Sequence, residues 1–245
     1  MIDCSILHLL EGAQAAKGVT VIIDVFRAFS LECYLYDLGA KLVRPVGAVE
    51  EAWALREKIP DAVLIGERHG IRVDGFDFGN SPSQIRDASE KIRGKVCIHT
   101  TSAGTQGIVN ATGASQLLTG SLVNAKAVAR YIRSLDGKSD PDGSVPFPVS
   151  IVAMGRSGKE RTQEDELCAE YIKALLDEKE IPPSFDQRRQ DLRNSDGKRF
   201  FEPSLQEHFP QEDFHMCIKT DLFPFVLCVK KDELGFYCEK IPVIL

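Results

Sequence analysis

Asp24 closes the apolar run Val21-Ile22-Ile23, and Arg27 follows three residues later at a predicted helix start. A carboxylate there can hold a divalent metal or attack an electrophile, and a guanidinium fork can grip two phosphate oxygens. The same aspartate also suits a helix N-cap. A second apolar run, Val63-Leu64-Ile65-Gly66, ends in Glu67 and Arg68. The string from Asp74 to Pro82 sets Asp74 and Asp77 beside Asn80 and Ser81. Oxygen-only donors of this kind suit Mg²⁺, although an Asx-rich turn has the same composition. A third run, Val96-Cys97-Ile98-His99, opens into Thr100-Thr101-Ser102-Ala103-Gly104-Thr105-Gln106-Gly107. Hydroxyls and glycines ahead of a helix can face an anion, or they can simply cap the helix. Finally, Gly155-Arg156-Ser157-Gly158 precedes Glu164 and Asp165, acids that either complete a metal shell or complement a helix dipole.

Each cluster follows a β-branched run, and such runs alternate with amphipathic stretches through the first two-thirds of the chain. The patterns predict strands over 19–25, 41–46, 62–66, 95–99, 114–119 and 148–154, and helices over 27–38, 48–58, 104–111, 121–134 and 162–178. Alternation of this kind gives an α/β fold, a three-layer α/β/α arrangement around a mixed, mainly parallel sheet. Ligands then bind outside the carboxyl ends of the strands, where these clusters would converge. The segment 39–52 resembles 113–126, which reads either as two diverged β-α-β-α-β halves, near 19–80 and 95–170, or as the common likeness of α/β units. Residues 136–146 read as a solvent loop and 182–213 as an irregular excursion from the core at 19–178. Residues 223–241 alternate around Lys231-Asp232-Glu233-Leu234 as a C-terminal β-hairpin, expected to cover a sheet edge. The whole of 1–245 is read as a single domain.

A formal charge of −6 argues against a general grip on nucleic acid. It leaves room for a small anionic phosphoester bridged to carboxylates by a metal. The seven cysteines are odd in number, and none are paired at zinc-site spacing; they read as reduced, mostly buried thiols. No run approaches membrane-spanning length and no secretory leader pattern opens the chain, so a cytoplasmic protein is expected. Self-association is compatible with this size.

Taken together, the motifs resemble the 2-phosphosulfolactate phosphatase family, the ComB-like proteins of coenzyme M biosynthesis. The residues that carry the resemblance are Ile23-Asp24-Val25-Phe26-Arg27-Ala28, Gly66-Glu67-Arg68, Gly75 to Pro82, Thr100-Thr101 with Gly104-Thr105, Gly120 to Ala125, and Glu164-Asp165 with Leu167-Cys168-Ala169. The resemblance implies an Mg²⁺-dependent phosphatase that converts 2-phosphosulfolactate to sulfolactate. Carried onto this chain, it makes Asp24, Glu67, Asp77 and Asp165 candidate metal ligands or catalytic carboxylates, with Glu164 beside them. Arg27, Thr101, Thr105, Ser121 and Asn124 become candidates for holding phosphate or sulfonate, joined by Asn80, Ser81, Thr100, Gly104 and Arg156 from the motifs above. The sequence departs from the family pattern at Ser102-Ala103, His69 and Glu170. Within this reading Asp24 either attacks phosphorus itself or serves as a ligand while water attacks. Another small dianionic ester as substrate, or a non-catalytic anion-binding module, would use the same cleft.

Overall fold

The structure, a computed structural model, describes residues 2–136 and 147–244. The chain runs β1 (Ile2–His8), α1 (Leu9–Ala15), β2 (Gly18–Ile23), α2 (Ala28–Asp37), β3 (Leu42–Pro45), α3 (Val49–Lys58), β4 (Val63–Arg68) and β5 (Ile71–Arg72). There follow α4 (Pro82–Asp87), β6 (Val96–Thr100), α5 (Gly104–Asn110), β7 (Ala114–Gly120), α6 (Ala125–Leu135), β8 (Phe147–Ala153) and α7 (Gln163–Leu176). The last elements are α8 (Ser184–Asp191), α9 (Gln211–Cys217), β9 (Phe225–Asp232) and β10 (Gly235–Pro242). The six strands and five helices read from the sequence are all present within a few residues. Beyond Asp136, the predicted solvent loop lies outside the described residues.

Among the described residues the strands form one mixed sheet in the order β1-β8-β2-β7-β9-β10-β3-β6-β4-β5. This order exposes an exchange. β2, β3 and β4 lie in the first half of the core, 19–80, and β6, β7 and β8 in the second, 95–170. Yet β2 lies between β7 and β8, and β6 lies between β3 and β4. Each half therefore lends its first strand to the other.

The exchange dictates where α2 and α5 run. After β2 the chain must cross the sheet to β3, which lies beside β6, and after β6 it must cross back to β7, which lies beside β2. The first of these crossing helices, α2, is enclosed by protein. Nine of the ten residues of α2 are buried, including Glu32 and Ser30. No amphipathic stripe is needed in a helix that meets protein all round.

The C-terminal hairpin corrects an expectation. β9 pairs antiparallel with β7, and β10 with β3, so the hairpin joins the two halves at the sheet centre rather than covering an edge. Phe225 to Val229 are buried on both faces, which an edge strand facing water could not sustain.

The excursion after α7 is also built into the core. Its short helices and turns carry Phe200 and Phe214, both almost fully buried, against Phe26, with ring centroids 5.1 and 5.7 Å away. Phe209 packs edge-on to Phe200. These rings fix the segment over the end of β2. Six cysteines are buried and Cys4 is half-buried, all as free thiols. No helix among the described residues is long and apolar enough to cross a membrane.

Candidate active site

The crossing helices bring distant strand ends together. Asp24 follows β2 and accepts the Ala28 amide at 3.1 Å through Oδ1, capping α2. Its Oδ2 accepts the Gly104 amide at 2.9 Å, from the start of α5. One carboxylate thus ties together the two helices that cross between the halves. Gly104 is required by this closeness, since a Cβ there would stand 3.0 Å from Asp24 Oδ2 and from Ala28 Cβ.

Asp165, in the first turn of α7, makes a second clamp. Its oxygens accept the Val25 and Gly155 amides, each at 2.8 Å, and so join the ends of β2 and β8. Glu67, at the end of β4, accepts the Ser102 amide at 2.7 Å and the Gly70 amide at 2.5 Å. Gly70 has φ +83°, and any Cβ would collide with Phe209, 2.1 Å away. Glu164 is the fourth acid; it is buried, and its Oε2 has no hydrogen-bond partner.

Asp24, Glu67, Glu164 and Asp165 line one cavity of about 160 Å³ with Arg27, Asn80, Arg156 and Arg199. The acids strain one another's ionisation. Burial, partly opposed by the Ala28 amide, pushes Asp24 up to about 6, and neighbouring Glu67 adds to the rise. Burial raises Glu164 to about 7, helped by Asp196. Asp165 is held well above the usual carboxylate range by burial first, then by Glu164 and Asp24. Perturbation of this kind in a cleft is characteristic of sites that hold a cation or move a proton.

The arginines differ in how they are compensated. Arg27 donates through Nη1 to Asp213 at 2.7 Å and to the His208 carbonyl at 2.9 Å, while its Nη2 has a single long contact of 3.4 Å to the Gly70 carbonyl. Arg156 is about half exposed at the mouth and pairs with Glu160 and Asp196. Arg199 makes no ion pair among the described residues.

Several predicted residues stand elsewhere. Asp77 is 43% exposed and accepts from Arg56 at 3.0 Å and from the Leu64 amide at 2.8 Å. It pins its loop to β4 and does not line the cavity, because its turn directs the side chain outward. From that string only Asn80 reaches the cavity wall, where His99 bridges it to Glu32. Ser81 donates instead to buried Asp213.

The Thr100 hydroxyl accepts from Arg68. Thr101 and Thr105 bond to each other's hydroxyls and backbone, which is the capping alternative. Asn124 Oδ1 accepts the Ser121 amide at 3.0 Å, outside the cavity wall. Ser102 and Ala103, by contrast, line the cavity directly. Arg199 and Phe209 were missed because they lie in the irregular segment, where no periodicity marks a site residue. A basic residue next to two phenylalanines was the one available signal.

The donor chemistry fits a hard divalent cation. All four acids offer oxygen, and a carboxylate oxygen engaged by one amide keeps a second lone pair. Among the described residues no three acidic, histidine or cysteine side chains form a ready shell. That is compatible with Mg²⁺, which typically takes one or two carboxylates and completes its shell with water and substrate phosphate.

Comparison with known proteins bears on this geometry. The profile of a family described as 2-phosphosulpholactate phosphatase matches residues 4–232. A protein of Bacillus subtilis (strain 168) named probable 2-phosphosulfolactate phosphatase is 31% identical over 218 residues, covering 89% of this chain and 90% of that protein. A protein of the same name from Carboxydothermus hydrogenoformans is 40% identical over 123 residues, half of each chain. One from Clostridium acetobutylicum is 35% identical over 164 residues, 66% of this chain and 64% of the relative. With a profile match across nearly its full length, and an acid-and-arginine cavity at the strand ends, the chain belongs to the 2-phosphosulfolactate phosphatase family.

Proposed function

We propose that this protein is an Mg²⁺-dependent phosphomonoester hydrolase that converts 2-phosphosulfolactate to sulfolactate and inorganic phosphate. The observation that carries the reading is the meeting of four buried carboxylates and three arginines around one small cavity. The acids provide for a divalent cation, and the arginines for a multiply charged ester. The names of the relatives supply the substrate.

Asp24, Glu67 and Asp165 line the same cavity; burial first, and then Glu67, raises Asp24, and burial, Glu164 and Asp24 raise Asp165. These three would hold the ion, with the unpartnered Glu164 oxygen beside them. When bound, Mg²⁺ supplies Lewis-acid stabilisation of charge on the phosphoryl oxygens.

The chain's own groups do the rest. Amides of Ala28 and Gly104 hold Asp24 rigid, so its orientation is set before substrate arrives. Arg27, anchored through Nη1, presents its loosely held Nη2 to phosphoryl oxygens. Phe26 and Phe209 wall the cavity and reduce competing water. In the reaction the ester oxygen–phosphorus bond breaks, an oxygen from water ends on phosphorus, and the leaving alkoxide takes a proton. Asp24 serves in its ionised form whether it attacks phosphorus or accepts the proton of attacking water.

The test is phosphate release from 2-phosphosulfolactate, phospholactate and phosphoglycolate, with Mg²⁺ and after chelation by EDTA. The reading expects release from 2-phosphosulfolactate to dominate and to vanish with EDTA. It is overturned if no ester is hydrolysed, and its metal clause if chelated protein keeps its rate. Rapid acid quench of a single turnover with a ³²P-labelled ester separates the routes: phosphoryl label held covalently on Asp24 means direct attack, and label only in free phosphate and ester means attack by water.

A further inference from the structure

Among the described residues Arg199 is a buried-facing cation without a counter-ion, and only its Nη2 has a hydrogen-bond partner, the Phe26 carbonyl at 3.3 Å. Its Nε is buried and has none. The guanidinium lies over the rings of Phe209 and Phe200, 5.1 and 5.5 Å from their centroids. Ring faces soften the burial of a cation but cannot replace an anion. Burial, and the nearness of Arg27 and Arg156, hold its pKa below the ordinary arginine value.

Arg27 offers an internal control. It lies in the same wall, over the same two rings, and the fold provides it with Asp213 at 2.7 Å. No such partner is built for Arg199. Glu164, which lines the same cavity, lies outside ion-pair distance of it, and its Oε2 is equally unpartnered. Arg199 thus lines the same cavity as Arg27, on the same two rings, with a charge the fold leaves uncompensated.

A substrate that carries a second acid group beside its phosphoryl group would bring the counter-charge that Arg199 lacks, while Arg27 is already paired with Asp213. Accordingly, we propose that Arg199 is a specificity-determining residue that receives the non-phosphoryl oxyanion of the substrate, a sulfonate or a carboxylate. The inference rests on the proposed phosphatase reading. A planar guanidinium with free Nε–H and Nη–H groups offers two parallel donors to such a group.

The test compares Arg199→Gln and Arg199→Lys with the unchanged protein on four esters. These are 2-phosphosulfolactate, phospholactate with a carboxylate only, 2-phosphoethanesulfonate with a sulfonate only, and p-nitrophenyl phosphate with neither. For Arg199→Gln the expectation is a KM for 2-phosphosulfolactate raised about 30-fold or more, kcat within about threefold, and a KM for p-nitrophenyl phosphate changed less than about threefold. Arg199→Lys should recover part of the loss. Whichever single-acid ester shares the KM defect identifies the group received. Equal loss on all four esters, no loss on any, or a fall in kcat alone overturns the proposal.

Calorimetry with sulfolactate and with inorganic phosphate gives a readout without turnover. Sulfolactate binding should weaken in Arg199→Gln while phosphate binding stays. If the unchanged protein hydrolyses no ester yet shows this split, the phosphatase reading fails and the oxyanion site stands. If it hydrolyses esters and shows no split, only the oxyanion site fails. Melting temperatures of both variants, within a few degrees of the parent, exclude misfolding as the cause.

Discussion

Asp24 and Thr101 occupy equivalent places in the two halves. Each follows the first strand of its half, and each accepts the backbone amide four residues later, at 3.1 and 3.2 Å, to start a crossing helix. The difference is in what the side chain has left over. Thr101 satisfies itself, trading bonds with Thr105 inside α5. Asp24 reaches across with its second oxygen to Gly104 in the other half, and it faces the cavity. The two strand ends thus share a cap, and only one of them also presents a carboxylate to the cavity.

The strongest way to break this comparison is Asp24→Asn. The amide oxygen can still accept from Ala28 and cap α2, while the new NH2 gives up the Gly104 bond and the charge in the cavity is lost, so the fold should hold at some cost in stability. We expect kcat for 2-phosphosulfolactate to fall about 10³-fold, roughly 4 kcal/mol in the barrier, with an unchanged circular dichroism spectrum. Activity within tenfold of the parent would remove Asp24 from the chemistry and reduce it to a cap like Thr101.

Asp213→Ala probes the support beneath the site. Asp213 is fully buried and accepts from Arg27, Ser81 and Ser83. Removing it strands the Arg27 charge, which should cost about 3 kcal/mol or more of stability. A urea titration reads this directly, and a loss under 1 kcal/mol would mean Arg27 has found another partner.

The acidic cluster predicts a pH-dependent response to metal. Asp24, with a folded-state pKa of about 6, and Glu164, about 7, bind protons more tightly folded than unfolded. Between about pH 4 and pH 7 the folded state therefore holds the extra protons, and their contribution to stability declines as pH rises. A cation that binds the ionised forms offsets that decline. At a hundredfold excess over its dissociation constant, Mg²⁺ should add about 2.7 kcal/mol at pH 8, raising the melting temperature by about 5–10 °C. At pH 5 the increment should be much smaller. Equal increments at both pH values would detach the metal from these acids.

These expectations also mark what the residues disclosed before folding. Asp24, Glu67 and the Glu164–Asp165 pair were legible because each follows or flanks an apolar strand, and strand ends share one edge. Asp77 misled because composition shows that a turn is polar but not which way it faces. Arg199 was hidden in an aperiodic segment, placed by the packing of Phe200 and Phe214 rather than by any local repeat. The hairpin's central position had a trace in the unbroken run Phe225-Val226-Leu227-Cys228-Val229, yet the alternating charges nearer its turn suggested an edge. The strand exchange had no local signature at all, since it concerns which strands pair and not which residues form them.

The smallest effect sharpens the comparison from the other half. Thr101→Val keeps the β-branched shape at the end of β6 and deletes the hydroxyl that accepts the Thr105 amide. A lost cap of this kind costs about 1 kcal/mol, or about 2–4 °C in melting temperature for a chain of this size. Because Thr101 does not line the cavity, kcat and KM should stay within about twofold of the parent. A steady-state assay beside a thermal melt checks both halves of the statement. If Thr101→Val instead lowers kcat tenfold with little change in stability, its hydroxyl turns from Thr105 to substrate during turnover, and the two strand ends share the chemistry as well as the cap.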